Sequence, residues 1–389
     1  MNSLISSKEK SSCPQEKPFD PIKSNYTSNP EVMFNIFNTY FVSFGRQLAS
    51  KIPLPVHHTY PVKVNGPKNS FVFHDTFVEE VNMVINNLLV SKSNRQNDIP
   101  THILKLCKNS FSPFFVQVFN LCIREGTYPQ SLKCAQVVPI YKGGPKDLCT
   151  NYRPISLLSP INKIFEKLIY SRLYTYLEQN SMLSSHQYGF RMGLSTTLPI
   201  YDTQENILEN LEKGFITCTI FCDLSKAFDT IDHNVLLWKL DNFFGIRGSP
   251  LKLLASYLHG RQQYIVIDRC TSDTLNITQG VPQGSSLGPL LFALYINDLL
   301  STTKLTHTLF ADDTVLFISG SNSTELQSIV NTELGKVNEW LHFNKLSLNY
   351  SKTSYMIVSR KNNQLTDLNV KIMTKPLREQ PASSIVGFS

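Results

Sequence analysis

The chain has 389 residues, with 37 Lys and Arg against 30 Asp and Glu, a net charge of +7, and a composition 41% hydrophobic and 17% charged. That is the make-up of a packed globular protein long enough for two or three domains, and it excludes an intrinsically disordered chain. The positive surplus is compatible with a nucleic-acid partner, but many other enzymes share it.

No apolar run approaches the ~18 residues of a membrane span; the longest is Leu290 to Ile296. The N-terminus, MNSLISSKEKSS, lacks the apolar core of a secretory signal. The cysteines, at 13, 107, 122, 134, 149, 218, 222 and 270, form no CxxC pair. Cys218 and Cys222, on one predicted strand, stand roughly 13 Å apart, too far to ligate one metal. They read as reduced, mostly buried thiols of an intracellular protein, with nucleus and cytoplasm both open.

The first thirty residues are rich in Ser, Lys, Pro and Asn and read as linker or tail. Residues 31–49 and 76–90 carry helical apolar spacing, separated by a Pro- and Gly-bearing stretch, and 101–123 repeat that spacing. The period then changes. Gln136–Tyr141 and Tyr152–Leu158 are β-rich runs around Lys142-Gly143-Gly144-Pro145, which predicts a hairpin with a long basic tip. Ser159-Pro160 opens a helix, with Ser as cap and Pro in the first turn. Further helices are expected over 198–213, 233–244 and 287–300, and another around Leu326 to Val337. FITCTIFCDL, 215–224, reads as a buried strand, and 306–319 as strand, tight turn, strand. Trp238 and Trp340 fall on apolar helix faces and are expected in the core.

Three carboxylates stand out. Asp223 ends a strand that is otherwise apolar, where an uncompensated charge is costly. Asp312 and Asp313 share a turn between two apolar strands. Like charges ~4 Å apart repel by about 4 kcal/mol at an effective dielectric near 20. Turn chemistry alone accounts for an Asp-Asp pair equally well. If the two elements are paired, however, all three carboxylates meet, and an all-oxygen cluster suits two Mg²⁺ ions and phosphoryl or nucleotidyl transfer.

At these residues the sequence resembles the reverse transcriptases of non-LTR (LINE-type) retrotransposons, in the jockey or CR1 branch. Asp223-Leu224-Ser225-Lys226-Ala227-Phe228-Asp229 resembles their DxxxAFD motif. Gly280 to Pro289, GVPQGSSLGP, is similar to a second motif, and Phe310-Ala311-Asp312-Asp313 to a third. Residues 151–157 (NYRPISL), 187–191 (QYGFR) and 348–353 (LNYSKT) resemble flanking motifs, so the likeness covers roughly 75 to 360.

The resemblance implies an α+β, right-hand polymerase fold with fingers and an RRM-like palm, the thumb absent or incomplete. On that pattern 1–74 is an N-terminal linker region and 75–130 a helical extension preceding the fingers. Residues 131–365 are the reverse transcriptase domain (fingers about 131–214, palm about 215–365), and 366–389 a C-terminal tail. Asp223, Asp312 and Asp313 are implied as metal ligands for two Mg²⁺, with Mn²⁺ as a substitute. Lys142 and Arg153 are implied to clamp a deoxynucleoside triphosphate. Phe228 sits in the place of a steric gate against the 2′-hydroxyl, Gln283 and Gly284 line the nucleotide and template pocket, and Lys352 is the proton donor to departing pyrophosphate. Solvated surface is the alternative reading for each of these basic residues, and core for Phe228. Arg191 is expected either to hold template phosphate or to cap a loop. The implied partners are an RNA template and a DNA primer, with no membrane. No endonuclease motif precedes the polymerase region and KIMTKPLREQPASSIVGFS matches no further motif, so a partial element is expected. Two alternatives stand beside the polymerase reading: a truncated remnant that binds nucleic acid without extending it, and an RNA-dependent RNA polymerase on the same palm, against which the ring at 228 argues.

Overall fold

The computed structural model describes residues 30–53, 60–62, 66–67, 69–90, 98–267, 270–360 and 368–380; the stretch 1–29, read from sequence as tail, lies outside them. The architecture is mixed α and β, built on two sheets. Helix α1 (Pro30–Ser50) buries Met33, Phe34, Phe37 and Phe41, spaced as the 3.6-residue period requires. Although it falls in the stretch read as linker, α1 docks on Val137, Cys149, Tyr152 and Ile265 to form a small core of its own.

Helices α2 (Val78–Asn86), α3 (Thr101–Leu106) and α4 (Lys108–Glu125) follow. The helix expected over 101–123 is two, broken at Cys107 (φ −101°, ψ 18°). Strands β1 (Cys134–Tyr141) and β2 (Tyr152–Leu157) pair antiparallel from Gln136 opposite Leu157 to Tyr141 opposite Tyr152, the hairpin expected from sequence. Ser159 caps α5 (Pro160–Gln179) by accepting from the Asn162 N–H, and the helix buries Ile164, Phe165, Leu168, Ile169 and Leu173. The Phe165 ring stacks on Phe119 of α4 at 4.5 Å.

Beyond α6 (Thr197–Glu212), strand β3 (Ile216–Cys222) is buried at every position but Phe221. Then come α7 (Ala227–Thr230), α8 (His233–Asn242) and α9 (Gly248–Leu258). Strand β4 (Arg261–Ile267) returns parallel to β1, with β5 (Cys270–Thr271) and β6 (Leu275–Ile277) beside it. Helix α10 (Gly288–Ile296) is buried all round except at Pro289, and its expected last turn tightens into a 3₁₀ turn, Asn297–Ser301. Strands β7 (Thr306–Phe310) and β8 (Asp313–Gly320) form a hairpin, and α11 (Ser323–Phe343) is capped by Asn322.

Strands β9 (Ser354–Val358), β10 (Lys371–Ile372), β11 (Lys375–Pro376) and β12 (Arg378–Glu379) close the chain. The first sheet runs β2-β1-β4-β5 with β6 on β4, and the second β12-β9-β3-β8-β7. Successive residues of β3 are buried alike, so both of its faces are covered, which is why its sequence lacks alternation. Part of the expected C-terminal tail belongs to this body: β12 pairs with β9, Leu368, Val370, Ile372 and Leu377 are buried, and the Tyr355 hydroxyl donates to the Leu368 carbonyl.

The two tryptophans part company. Trp340 is buried and donates its indole N–H to Asp298. Trp238, expected in the core, is 38% exposed and leans on Tyr60 and Phe243, because its helix presents that face to the rim. Beneath it, the Lys239 ammonium is fully buried against Asp298 at 2.6 Å, walled by the rings of Tyr60, Tyr295 and Trp340. Burial pushes Lys239 down to about 8, against the pull of Asp298.

Candidate active site

The register of the second sheet assembles the acidic site. Cys222 of β3 lies opposite Thr314 of β8, so one step further Asp223 faces Asp313. Phe310 pairs with Asp313 across the β7–β8 hairpin, leaving Ala311 and Asp312 as a two-residue turn. Ala311 takes φ +58° there, a left-handed conformation that costs a non-glycine residue about 1–2 kcal/mol. Sequence juxtaposition and strand register therefore bring Asp223, Asp312 and Asp313 to one end of one sheet. Desolvation raises the Asp313 carboxyl above its ordinary range, and the charges of Asp312 and Asp223 raise it further, with Lys352 opposing.

Two segments brace this corner. Residues 347–353 lie along Asp223: Ser225 N–H donates to Ser347 O at 2.8 Å, Asn349 N–H to Asp223 O at 2.8 Å, and Asp223 N–H to Thr353 Oγ1 at 3.3 Å. They carry Lys352, whose Nζ stands 3.9 Å from Asp223 Oδ1. On the other flank, residues 186–188 run beside β7, with Tyr188 N–H to Leu309 O at 2.8 Å and Leu309 N–H to His186 O at 2.9 Å. Gly189 then presses on the hairpin turn itself. A Cβ there would sit 2.0 Å from Ala311 N.

Phe228 packs against two rings, perpendicular to Phe190 at 5.9 Å and stacked with Phe292 at 4.9 Å. Its carbonyl accepts from Val281 N–H at 2.9 Å. The turn that follows ties this segment to the first sheet. Gln283 Nε2 donates to Asp229 Oδ1 at 2.8 Å, and Gln283 O accepts from Ser156 N–H at 2.7 Å. Gly284 is required twice over, by φ +107° and because a Cβ would lie 2.9 Å from Ser156 O.

From the first sheet, Lys142 and Arg153 reach the same junction. Burial lowers the Lys142 ammonium, as do the nearby charges of Arg153 and Lys352, the lysine that stands beside Asp223. Arg191 does not join them. Its Nε and Nη2 grip Glu178 at 3.0 and 2.8 Å and its Nη1 donates to Ser184 O at 2.9 Å, which makes it a brace of the loop leading to Gly189.

Sequence reasoning singled out no role for Gly189, Lys226 or Asp229. Gly189 matters through a neighbour more than a hundred residues away, which local pattern does not reveal. Lys226 and Asp229 stood within DLSKAFD, and two opposite charges three residues apart around a short helical turn were the available signal.

Among the described residues, no three His, Cys, Asp or Glu side chains already form a metal cage. The donor set nevertheless suits a hard divalent cation: the converging groups are all carboxylates, and after burial it is the charges of Asp312 and Asp223 that raise Asp313. No described helix is long and apolar enough to cross a membrane.

Comparison with known proteins bears on the same stretch. The family model described as reverse transcriptase (RNA-dependent DNA polymerase) matches residues 140–378. The chain belongs to that family. A probable RNA-directed DNA polymerase from transposon BS of Drosophila melanogaster is 30% identical over 289 residues, 71% of this chain and 31% of the relative. The RNA-directed DNA polymerase from mobile element jockey of the same species is 26% identical over 340 residues, covering 84% of this chain and 35% of the relative. Its Drosophila funebris counterpart is 28% identical over 286 residues, covering 71% of this chain and 31% of the relative. The chain therefore spans about a third of the length of these relatives, all of them polymerases of mobile elements.

Proposed function

We propose that this chain carries the polymerase centre of a non-LTR retrotransposon's RNA-directed DNA polymerase, with the second sheet as its RRM-like palm and the first sheet with its helices as fingers. The observation that carries the reading is the strand register that sets Asp223 opposite Asp313 beside the Ala311-Asp312 turn. The reaction is attack of a DNA primer 3′-hydroxyl on the α-phosphate of a deoxynucleoside triphosphate, directed by an RNA template, with pyrophosphate leaving.

Asp223, Asp312 and Asp313 would hold two Mg²⁺, or Mn²⁺ in their place; such ions supply activation of the hydroxyl and stabilisation of the leaving oxygen. Lys142 offers the triphosphate a point charge and Arg153 a planar fork. Phe228, immobilised between Phe190 and Phe292, presents a rigid ring to the sugar, where a 2′-hydroxyl would collide. The Gln283-Gly284 turn supports the nucleotide and templating base, its backbone left open by the missing Cβ. Lys352, already at the acidic corner, is the nearest proton source for departing pyrophosphate, a role worth typically 10²–10⁴-fold.

The test is primer extension on an RNA template with deoxynucleotides and Mg²⁺, wild type beside Asp312→Ala. Product from the wild type alone, with RNA bound equally by both, supports the assignment. No product from either, with template and primer still bound, replaces it with a binding remnant. Equal loss of binding and extension in the variant removes the metal role.

A further inference from the structure

Lys226 lies at the junction of the two sheets. It takes a left-handed conformation (φ 52°, ψ 47°) just ahead of α7, which turns its side chain back beneath the β1–β2 hairpin. Nζ donates to Tyr152 O at 3.2 Å. The rings of Phe44 and Tyr40, both from α1, stand 5.7 and 6.0 Å from it. One backbone carbonyl satisfies one of three ammonium protons.

The electrostatics of the cluster are unbalanced. Nζ bonds the carbonyl immediately before Arg153, Lys142 N–H donates to Asn151 O at 2.8 Å on the same hairpin, and the charges of Lys142 and Arg153 both bear on Lys226. Burial and then Lys142 push Lys226 down to about 8, with Asp229 the acidic group opposing. Asp229 is already engaged by Gln283, and its own carboxyl is raised by burial. Two ammonium groups and a guanidinium whose charges bear on one another repel, the more so in a partly desolvated site. A polyanion lying between them converts that repulsion into attraction.

We propose that Lys226 is a third cationic ligand of the incoming nucleotide's triphosphate, acting beside Lys142 and Arg153 and held in place by Tyr40 and Phe44 of the N-terminal helix. This rests on the polymerase reading above and adds to it a binding residue and a dependence on α1. Lys142 and Arg153 belong to an exposed hairpin, whereas Lys226 is fixed from below by α1 and α7. The packing there is tight: a Cβ at Gly45 of α1 would stand 2.3 Å from the Asp229 carbonyl. Docking of a helix outside the 140–378 family match thereby sets nucleotide affinity.

The experiment uses the full chain, with Lys226→Met, Lys226→Gln, Lys226→Arg and the double variant Tyr40→Leu/Phe44→Leu. Steady-state single-nucleotide incorporation gives kcat and KM for dGTP, filter binding gives template–primer affinity, and thermal melting is recorded with and without inorganic tripolyphosphate. A charged hydrogen bond is worth about 1.5–3 kcal/mol, so removing the charge should raise KM tenfold or more. Expected is that rise in the Met and Gln variants, with template–primer affinity unchanged and most of the loss recovered in Lys226→Arg. Tripolyphosphate should raise the melting temperature of the wild type and of Lys226→Arg but not of Lys226→Met or Lys226→Gln, a readout independent of turnover. If the polymerase reading fails, incorporation is absent in the wild type too, and the melting experiment still decides whether Lys226 binds a polyphosphate. An unchanged KM with tripolyphosphate protection intact in Lys226→Gln overturns the proposal. So does a loss of template–primer affinity equal to the rise in KM, which would make Lys226 a contact to nucleic-acid backbone.

Discussion

Gly189→Ala tests the acidic corner with the smallest possible change. The added Cβ would lie 2.0 Å from Ala311 N, 2.8 Å from Ala311 Cα and 3.0 Å from Phe310 C, where ordinary contact begins at 3.4 Å. All three atoms are backbone, so no side chain can swing aside. Either residues 186–190 lift from β7, losing the bonds to Leu309, or the Ala311-Asp312 turn tilts away. Each lost bond is worth about 1 kcal/mol and overpacking costs about 1–3 kcal/mol, giving roughly 2–5 kcal/mol of destabilisation. The functional effect should be larger than the loss of fold. A displacement of about 1 Å at reacting groups costs on the order of 10²-fold in rate, and the turn that moves carries Asp312. Single-turnover extension of a primer on RNA, with saturating deoxynucleotide, should fall by about that factor while urea melts still show a folded protein. Gly335→Ala is the control: it lies inside α11 with no atom within 4 Å of the new Cβ, so it should stabilise by about 0.5–1 kcal/mol and leave extension alone. Extension by Gly189→Ala within threefold of wild type would refute the claim that this contact holds the turn.

Asp298→Asn leaves the buried Lys239 ammonium without its charge partner, a loss of about 3–5 kcal/mol at pH 7. Lys239 sits at about 8 in the folded chain against 10.5 as its ordinary value, so the strain of burying its charge is fully present below pH 8 and is relieved as pH rises toward 10.5. The gap between variant and wild type in urea melts should therefore shrink from pH 7 to pH 9.5, and a constant gap would contradict a charged Lys239. Phe228→Val opens the space beneath the sugar and should raise incorporation of ribonucleotides relative to deoxynucleotides by at least tenfold, measured by paired KM and kcat values; an unchanged ratio would mean the ring serves only its stack with Phe190 and Phe292. Arg191→Ala frees Glu178 and loosens the 184–191 loop, lowering the melting temperature. Because the guanidinium is spent on Glu178 and Ser184 O, the salt dependence of RNA binding should not change, whereas a slope reduced by about 1 would assign it a phosphate.

What the sequence disclosed follows from how local each cause is. The Ser159 cap, the β1–β2 hairpin and the buried β3 strand rest on neighbours in sequence, and all appear where expected. The three aspartates were legible because a charge at the end of an apolar strand is a contradiction that composition alone exposes. The helix over 101–123 was misjudged by its break at Cys107, because nothing in the residue types there interrupts the apolar period. Trp238 was misplaced for a different reason. Its helix face is apolar, but the partners it meets, Tyr60 and Phe243, form a rim rather than a core. Residues 30–50 and 368–380 looked peripheral because their partners, Tyr152 and Ile265 for the first and Tyr355 for the second, lie far off in the chain.

The same distinction bears on how the site is held. The carboxylates are set by one sheet's register, Lys142 and Arg153 belong to the other, and among the described strands no pairing joins the two sheets. What joins them is a chain of backbone bonds: Phe228 O to Val281 N–H, then Gln283 O to Ser156 N–H, with Gly284 leaving room for Ser156. Helix α1 is the second tie, since it packs on β4 with one part and on α7 with another. On the proposed function Lys142, Arg153 and the carboxylates act on one nucleotide, which requires these two ties to keep their separation fixed. A substitution that weakens the α1 tie without touching Lys142, Arg153 or any aspartate should therefore raise KM for the nucleotide before it alters kcat, because the proposed triphosphate contacts span the junction while the three aspartates lie at one end of the second sheet.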